Sequence, residues 1–281
     1  PVPVIVVGNL TVGGAGKTPL VIWLCEHLQR AGHRPGVVSR GYGGRPPRLP
    51  LSVTAATAPS EAGDEPVLIA ARTGCPVVVD PDRPRAARAL LAANDVDVIV
   101  ADDGLQHYAL ARNLEIVVVD GRRRFGNGFC LPAGPLREPL SRLVTVDLVV
   151  VNGAGGAGEF ALRLVGDRLA NLADVAHTEP LTAWRGRRVH AVAGIGDPAR
   201  FFTALTTAGL EVVEHPFPDH HAYRPDDLDF GDGLPVLMTE KDAVKCRTFA
   251  AARHWYLPVS AAPDAAFMAA LDAKLSTLPW R

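Results

Sequence analysis

The sequence predicts an α/β protein with a mostly parallel sheet flanked by helices, followed by a second, smaller α/β unit. Short runs rich in β-branched residues recur without polar alternation, which is typical of strands covered on both faces. Segments with the helical spacing of apolar residues lie between these runs, and alternation of strand and helix predicts parallel pairing. With 281 residues, the chain is long enough for one large domain or two modest ones.

The elements follow in order along the chain. Six apolar runs predict the strands of the first unit, at residues 4–7, 35–39, 77–79, 96–101, 116–120 and 148–152. Helical spacing predicts helices around 20–28 and 85–93. Glycine-rich and then weakly periodic sequence from 153 to 179 indicates a boundary near 180, so we expect domains at 1–180 and 181–281. In the second unit we expect strands at 188–193, 210–214 and 236–239 and a helix at 200–209.

Composition excludes several classes of protein. Lys plus Arg number 29 and Asp plus Glu number 30, which leaves a formal charge of -1 and no global field that would recruit nucleic acid. We therefore expect no nucleic-acid partner, and an anionic ligand needs a local site. The four cysteines are far apart without a C-x-x-C pair, which disfavours a zinc site or a disulfide framework. Because no apolar run reaches about 18 residues, we expect no membrane span.

The first predicted strand runs into a glycine-rich loop, GNLTVGGAGKTP at residues 8–19, with a helix after it. This strand, loop, GK[ST] and helix arrangement is typical of a P-loop that holds nucleotide phosphates. Lys17 would reach the β and γ phosphates, and the Thr18 hydroxyl would bind Mg²⁺. Thr11 stands where the usual pattern has glycine. The candidate nucleotide-binding residues are Thr11, Gly13, Gly14, Ala15, Gly16, Lys17 and Thr18.

A second candidate site lies at the end of the strand predicted over 96–101, where Asp102-Asp103-Gly104 follows. In P-loop proteins a carboxylate at such a strand end meets the Mg²⁺ held by the loop hydroxyl. Asp102 is the first candidate for this role and Asp103 the second. Gln106 and His107, just beyond, are candidates for orienting phosphate or substrate.

Several segments together resemble the tetraacyldisaccharide 4'-kinase family, the lipid A 4'-kinases of Gram-negative bacteria. The segments are residues 8–19, Ser39-Arg-Gly-Tyr-Gly-Gly44, Gly63-Asp-Glu-Pro66, Asp102-Asp-Gly-Leu-Gln-His107, Leu131-Pro-Ala-Gly-Pro-Leu-Arg-Glu138, Gly194-Ile-Gly196, Phe217-Pro-Asp-His220 and Thr239-Glu-Lys-Asp242. They occur in the family's order over nearly the whole chain.

The resemblance implies transfer of the ATP γ-phosphoryl group to the 4'-hydroxyl of a tetraacylated glucosamine disaccharide 1-phosphate, giving lipid IVA. It implies ATP and Mg²⁺ as cofactors and a smaller C-terminal domain that closes over the nucleotide. It also implies peripheral attachment to the cytoplasmic face of the inner membrane. The hydrophobic, basic N-terminal helix that usually docks family members on that membrane is absent from this sequence. We expect a monomer.

The resemblance also assigns site residues. Asp64 matches the general base and His220 its partner, whereas from the residues alone Asp64 would be an ordinary turn or cap residue. Glu138 matches a residue that would complete the metal shell, and Arg137 another active-site residue. Arg40 follows a predicted strand end, where it could hold the lipid's 1-phosphate or the nucleotide.

Two other functions stay open at this point. One is another P-loop enzyme, such as a metallochaperone-like GTPase or an ATP-dependent synthetase. However, Thr239-Glu-Lys-Asp242 carries its lysine one position later than the Asn-Lys-x-Asp guanine motif, which favours ATP. The other is a nucleotide-dependent switch, against which Asp64 and His220 argue because a switch needs no base. The run Arg122–Arg124 would suit an anionic headgroup, although such runs are often merely solvated.

Overall fold

The computed structural model describes residues 2–280, and within them the chain forms two sheets. The first sheet has nine strands: β1 (Val4–Gly8), β2 (Pro35–Ser39), β3 (Leu51–Val53), β4 (Val77–Val79), β5 (Val98–Asp102), β6 (Leu114–Asp120), β7 (Leu148–Asn152), β8 (Phe160–Val165) and β15 (Ser260–Pro263). The second has six: β9 (Arg168–Asn171), β10 (Thr178–Pro180), β11 (Arg188–Ala193), β12 (Glu211–Pro216), β13 (Val236–Thr239) and β14 (His254–Leu257). The α-helices are α1 (Lys17–Arg30), α2 (Pro59–Ala62), α3 (Asp64–Thr73), α4 (Arg83–Ala93), α5 (Pro198–Thr207), α6 (Glu240–Cys246) and α7 (Ala265–Leu275).

The first sheet confirms the predicted α/β class. Its strand order is β15-β8-β7-β6-β1-β5-β2-β4-β3, and all neighbouring pairs are parallel except those that add β3 and β15 at the two edges. All six strands expected from the apolar runs are present. The order reverses at β1, which lies between β5 and β6, and such a switch point opens a crevice at the carboxyl ends of the strands.

The continuous apolar runs arise because helices cover both faces of this sheet. Alternate side chains of β1 belong to different clusters, Ile5 and Val7 to one and Val4 and Val6 to the other. The first cluster also contains side chains of α1, α3 and α7, and the second contains those of α4. With both faces buried, a strand gains nothing from polar alternation.

The second sheet has the order β10-β9-β14-β13-β11-β12. Strands β14, β13, β11 and β12 are parallel, and β9 and β10 add antiparallel beside β14. Helix α5 covers one face with Phe202 and Leu205, and α6 covers the other with Ala243 and Cys246. A second, smaller α/β unit therefore exists, as the fold-class prediction stated.

The change from one sheet to the other lies earlier than residue 180. Strand β8 ends at Val165 in the first sheet, and β9 begins at Arg168 in the second. The chain then returns, because β15 pairs with β8 and α7 packs on the first sheet. The domain division at 180 stays a prediction; by sheet membership, the second unit spans β9 to β14. No helix within residues 2–280 has both the length and the apolar character needed to cross a bilayer.

Candidate active site

A cavity of about 1090 Å³ lies between the two sheets. The carboxyl ends of β1, β2 and β5 contribute the polar side of its wall, and Ile195, Phe201 and Leu257 of the second unit contribute apolar side chains. The place is the one expected for ligands of an open α/β sheet. The cavity therefore offers phosphate-binding groups beside an apolar wall.

The loop after β1 has the geometry of a phosphate site. Gly16 has a φ of +98° and stands directly before α1, whose first turn has no side-chain cap. Free N–H groups of a helix N-terminus favour an anion. Residues 13–18 line the cavity, whereas Thr11 is buried outside its wall. Lys17 Nζ donates to Asn9 Oδ1 at 3.0 Å and lies 3.5 Å from Asp103 Oδ1.

Asp102 ends β5 inside the cavity wall with a carboxyl group that is short of partners. Its Oδ2 accepts a hydrogen bond from Ser39 Oγ at 3.1 Å, and its Oδ1 has no partner within the protein. Burial, with the nearby negative charges of Glu65 and Asp103, raises the pKa of Asp102 to about 7, against the pull of Lys17 and Ser39. A buried carboxyl oxygen without a partner is a natural place for a cation.

Asp103 has a different environment from its neighbour. Its backbone lies in the left-handed region with a φ of +48°, so the strand has ended and the side chain turns toward basic groups. Arg137 Nη1 contacts both carboxylate oxygens at 2.9 and 3.0 Å. Burial would raise the pKa of Asp103, but Lys17 and Arg137 outweigh it and lower that pKa. Asp103 is thus an anion that positions two cations.

Three further candidates, Arg40, Gln106 and His107, also line the cavity. Burial, and then the charge of Arg83, lower the pKa of His107. Gln106 Nε2 donates to Glu138 Oε2 at 2.7 Å.

The sequence-predicted metal ligand Glu138 is not part of the cavity wall, and its other oxygen accepts from Tyr108. Its role in binding metal stays a prediction, and in this structure it holds Gln106 and Tyr108.

Asp64 and His220, 156 positions apart, meet at the cavity. His220 Nδ1 lies 3.1 Å from Asp64 Oδ2, and Asp64 Oδ1 accepts from Glu65 N at 2.9 Å. The imidazole lines the cavity while Asp64 is buried beside it, and the Tyr42 ring lies 5.1 Å from the imidazole. The two residues come from different units, so the contact exists only when the units are docked together.

The charges around this pair act in opposite directions on its members. Burial would raise the pKa of Asp64, but the hydrogen bond from His220 and the charges of Lys241 and Lys245 lower it. The hydrogen bond to Asp64 raises the pKa of His220, against the effect of burial. Lys241 Nζ lies 3.9 Å from Asp64 Oδ2 and 3.1 Å from Glu65 Oε1. The arrangement favours an anionic carboxylate beside an imidazole that holds its proton more tightly than usual.

Sequence reasoning missed several residues of this site. Asn9 directly follows the first strand, and Asn152 ends a run recognised as a strand, so their positions at strand ends were available signals. Lys241 lies in the segment Thr239–Asp242, which entered the sequence analysis through the family resemblance and the guanine motif, without a role for Lys241 itself. That segment starts α6: the Thr239 hydroxyl caps the helix by accepting from Asp242 N at 3.1 Å. Arg200 had no sequence signal at all.

Comparisons with known proteins show the family and the fold. The family model described as tetraacyldisaccharide-1-P 4'-kinase, LpxK, matches residues 1–276. The chain is 57% identical over 279 residues to the tetraacyldisaccharide 4'-kinase of Alkalilimnicola ehrlichii, covering 99% of this chain and 84% of that protein. Its identity to the Nitrosococcus oceani protein of the same name is 55% over 272 residues, or 95% of this chain and 79% of that one. A crystal structure of LpxK from Aquifex aeolicus in complex with ATP superposes with a TM-score of 0.79 and 31% identity, covering 96% of this chain and 87% of that chain.

Proposed function

The chain belongs to the tetraacyldisaccharide-1-P 4'-kinase family, and from this premise we propose which of its residues carry the reaction. The function is that of an ATP-using kinase of lipid A biosynthesis, so the rival GTPase and switch functions are not favoured. The single observation that supports our assignment is the contact of Asp64 with His220 beside the cavity that Lys17 enters.

In the proposed reaction the 4'-hydroxyl oxygen of the acceptor disaccharide forms a bond to the γ-phosphorus of ATP. The bond between that phosphorus and the bridging oxygen breaks, and ADP leaves with the bond's electron pair. Such transfers depend mainly on alignment and on neutralising charge on the transferring group. Backbone N–H groups of residues 13–18 and the ammonium of Lys17 supply that neutralisation, and Asp103 with Arg137 keeps Lys17 directed at the phosphates.

The proton of the hydroxyl leaves toward the Asp64–His220 pair. We assign Asp64 as the base and His220 as the partner that orients it and stabilises its charged form. The nearby Lys241 and Lys245 keep the carboxylate ionised, at the expense of its basicity. Proton transfer to this pair requires the second unit to be docked, since His220 comes from that unit. Docking of the units would thus bring the base and its partner together beside the cavity.

Mg²⁺ fits the residues present. Asp102 offers a buried carboxyl oxygen without a protein partner, and Thr18 offers a hydroxyl in the same cavity. Mg²⁺ is commonly held by one or two protein ligands together with phosphate oxygens and water. Accordingly, no group of three or more acidic, His or Cys side chains among residues 2–280 forms a protein-only metal site. We propose Thr18 and Asp102 as the residues that would hold the ion, which would supply positive charge to offset that of the phosphates.

The acceptor is a lipid A precursor, and we propose that its headgroup lies against Arg40, Gln106 and His107. Arg40 is exposed at the carboxyl end of β2, and all three side chains line the cavity. A cation and two hydrogen-bonding groups suit a phosphorylated sugar.

We further propose that the cavity mouth faces the cytoplasmic side of the inner membrane. Val12, Phe129 and Leu131 are 40%, 64% and 55% exposed. They lie close together, because Val12 N of the phosphate loop donates to Pro135 O, and Leu131 N donates to Leu136 O in the loop that also carries Phe129. This mouth patch continues into the cavity through Val12 and Leu131. Acyl chains that stay in the bilayer would meet the patch while the sugar enters the site.

The membrane proposal is tested by vesicle flotation with phosphatidylglycerol vesicles. We expect the double variant F129S/L131S to lose binding several-fold. V175S removes an equally exposed valine, 63% exposed, from the second unit and should bind as the parent does. Equal binding of all three proteins would contradict the proposal.

We propose a monomer, since one chain supplies every residue assigned above. Light scattering should give the mass of one chain at concentrations where the enzyme is active. A stable dimer under those conditions would contradict this proposal.

The reaction itself is tested with labelled ATP, Mg²⁺ and detergent-dispersed disaccharide 1-phosphate. Asp64→Asn should lower kcat by at least about a hundredfold with little change in ATP affinity. Lys17→Ala should abolish turnover while the fold is retained, because no other group replaces its charge at the phosphates. Asp95→Asn, at an aspartate whose side chain is 86% exposed, is the matched control. A near-normal rate for Asp64→Asn would exclude it as the base.

A further inference from the structure

The backbone carbonyls of the phosphate loop are held from outside by side chains at strand ends. Four carbonyls are engaged: Asn9 Nδ2 donates to Thr11 O at 2.7 Å and to Gly13 O at 3.4 Å, Arg123 Nη2 to Gly14 O at 2.8 Å, and Asn152 Nδ2 to Ala15 O at 3.3 Å. Carbonyls fixed on the outer side leave the loop's N–H groups available to the cavity. These contacts therefore set the orientation in which the loop meets phosphate.

One of these contacts depends on a residue of the second unit. Arg200, in the first turn of α5, donates from Nη2 to Asn152 Oδ1 at 3.0 Å. A guanidinium has only donors, so it can pair with the amide oxygen of Asn152 but not with its nitrogen. The amide nitrogen is thereby turned to Ala15 O. Without Arg200, the side-chain amide of Asn152 could face the loop with either its nitrogen or its oxygen. In the second orientation, the amide oxygen and Ala15 O would repel each other.

The same guanidinium also approaches Asp120, which supports a second contact to the loop. Arg200 Nη1 lies 3.6 Å from Asp120 Oδ2. Asp120 Oδ1 accepts from the backbone N of Arg122 and of Arg123 at 2.9 and 3.1 Å, and Asp120 Oδ2 lies 3.5 Å from Arg123 Nη2. Asp120 thus holds the segment that carries Arg123, whose side chain binds Gly14 O. On the β6–β7 side of the loop, Arg200 therefore contacts both Asn152, which binds the loop, and Asp120, which holds the segment of Arg123.

The second unit also approaches the loop directly. A Cβ added at Gly196, at the turn before α5, would lie 3.5 Å from Gly14 N. The turn and Arg200 therefore reach the loop together.

We propose that Arg200 is a positioning residue for nucleotide binding: through Asn152 and Asp120 it fixes the carbonyl side of the phosphate loop, so that docking of the second unit prepares the loop for ATP. The inference rests on ATP binding at this loop, which is part of the proposed function. It assigns Arg200 a role different from that of His220. His220 brings a group to the acceptor hydroxyl, whereas Arg200 acts on the donor side through two side chains of the first unit.

The test compares R200A, R200K, N152A, the double variant N152A/R200A and the control R188A in the full chain. Arg188 is an exposed arginine at the start of β11 in the same sheet. Steady-state kinetics give kcat and the KM for ATP and for the lipid. Hydrogen exchange of the amides of residues 13–17 in the nucleotide-free protein reports the loop itself.

We expect R200A to raise the KM for ATP about tenfold, with kcat within about twofold of the parent, an effect of the size of one charged hydrogen bond. The KM for the lipid should not change. R200K should be intermediate, because a single ammonium cannot reach both anchors as a guanidinium does. N152A/R200A should be no worse than N152A, and the loop amides should exchange faster in R200A but not in R188A.

Several results would overturn the inference. Additive effects of N152A and R200A would show that Arg200 acts on the nucleotide without Asn152. A fall in kcat at unchanged KM, unchanged exchange of the loop amides in R200A, or an equal effect of R188A would also overturn it. R200A removes a side chain that is 34% exposed, so we expect this variant to fold. Exchange of its loop amides can then be measured even if N152A fails to fold. If Lys17→Ala left ATP affinity intact, the proposed nucleotide site itself would fail, which is a distinguishable outcome.

Discussion

At the scale of single residues, Asp102 and Asp103 show how one step along the chain reverses the electrostatics of a carboxyl group. Asp102 is the last residue of a buried strand, with one oxygen unpartnered and a pKa raised to about 7 by burial and nearby negative charge. Asp103 turns out of the strand toward Lys17 and Arg137, which hold its pKa low in spite of burial. One carboxyl thereby keeps an oxygen without a protein partner, and the other pairs with basic groups.

Asp102→Asn should remove a pH dependence of stability. Because the folded pKa of Asp102 lies above the unfolded value of about 4, its contribution to stability is fully present below pH ~4 and is lost as pH rises through about 7. The free energy of unfolding of the variant should therefore equal or exceed that of the parent at pH 8. Its advantage over the parent should be smaller at pH 5. The variant should also lose turnover. Urea denaturation at both values measures this.

Asp103→Asn is the control for that experiment, with the opposite sign. The pKa of Asp103 is lowered in the folded protein, so its stabilisation is present above the unfolded value and is lost in acid. The variant should lose stability at pH 8. If both variants changed stability equally at pH 5 and 8, the environments described here would be incorrect.

The imidazole of His220 should titrate above the ordinary histidine value of about 6.5. Its stabilising contact with Asp64 is fully present below that value and is lost as pH rises through the raised pKa. In Asp64→Asn the anionic partner is gone, so the titration midpoint should fall. NMR titration of the imidazole resonances measures both, and His254, buried elsewhere in the second unit, should be unaffected. An unchanged midpoint would mean that the pair does not form in solution.

At the scale of elements, the start of α3 depends on a glycine. Gly63 has a φ of +86°, and a Cβ there would lie 2.5 Å from Tyr42 O. Gly63 precedes Asp64, the first residue of α3, so this close backbone approach places Asp64 beside the loop after β2.

Gly63→Ala should destabilise the protein by about 2 kcal/mol or more, since it combines backbone strain with a clash against backbone. Gly74, at the other end of α3, has a φ of +65° and open space around its Cβ position. Gly74→Ala therefore carries the strain alone and should cost about 1 kcal/mol. Chemical denaturation measures both, and equal losses would contradict the role of the clash.

Much at this scale was predictable from sequence. The six central strands could be predicted because burial on both faces makes their sequences continuously apolar. The loop at 13–18 could be predicted because its residue types match those of a P-loop. Strand β8 and the edge strand β15 beside it were not predicted. Their pairing joins residues about a hundred positions apart, and neither strand has a distinctive local pattern. Arg200 lay beyond prediction because a surface arginine acquires its role only from the neighbour it meets.

At the scale of the whole molecule, the two units meet through α3 and α6 beside the Asp64–His220 pair. Arg72 Nη1 contacts both oxygens of Glu240 at 2.8 and 2.9 Å. Burial raises the pKa of Glu240 against the opposing charge of Arg72. The same two helices carry Asp64 and Lys241, so this ion pair helps to set the spacing between these two side chains.

Arg72→Ala should lower the free energy of unfolding at pH 8 by about 2 kcal/mol, because it leaves a buried carboxylate without its cation. The loss should be smaller at pH 5, where a carboxyl with a raised pKa is protonated more readily. The double variant R72A/E240Q should recover part of it. Asp95→Ala, at an exposed ion pair, should change stability by less than about 0.5 kcal/mol. Urea denaturation of the parent and the three variants measures these free energies of unfolding. An equal loss for Arg72→Ala at pH 5 and pH 8 would contradict the role given to the Glu240 carboxylate.

The return of the chain to its first sheet has a consequence for synthesis. Val165, the last residue of β8, is the Cα partner of Ser260, the first residue of β15, so the segment between them leaves and re-enters at one point. The edge strand β15 and the covering helix α7 of the first unit come from residues 260–275, after the inserted unit. On the ribosome, the inserted unit can complete its own sheet while the first unit still waits for those residues to emerge.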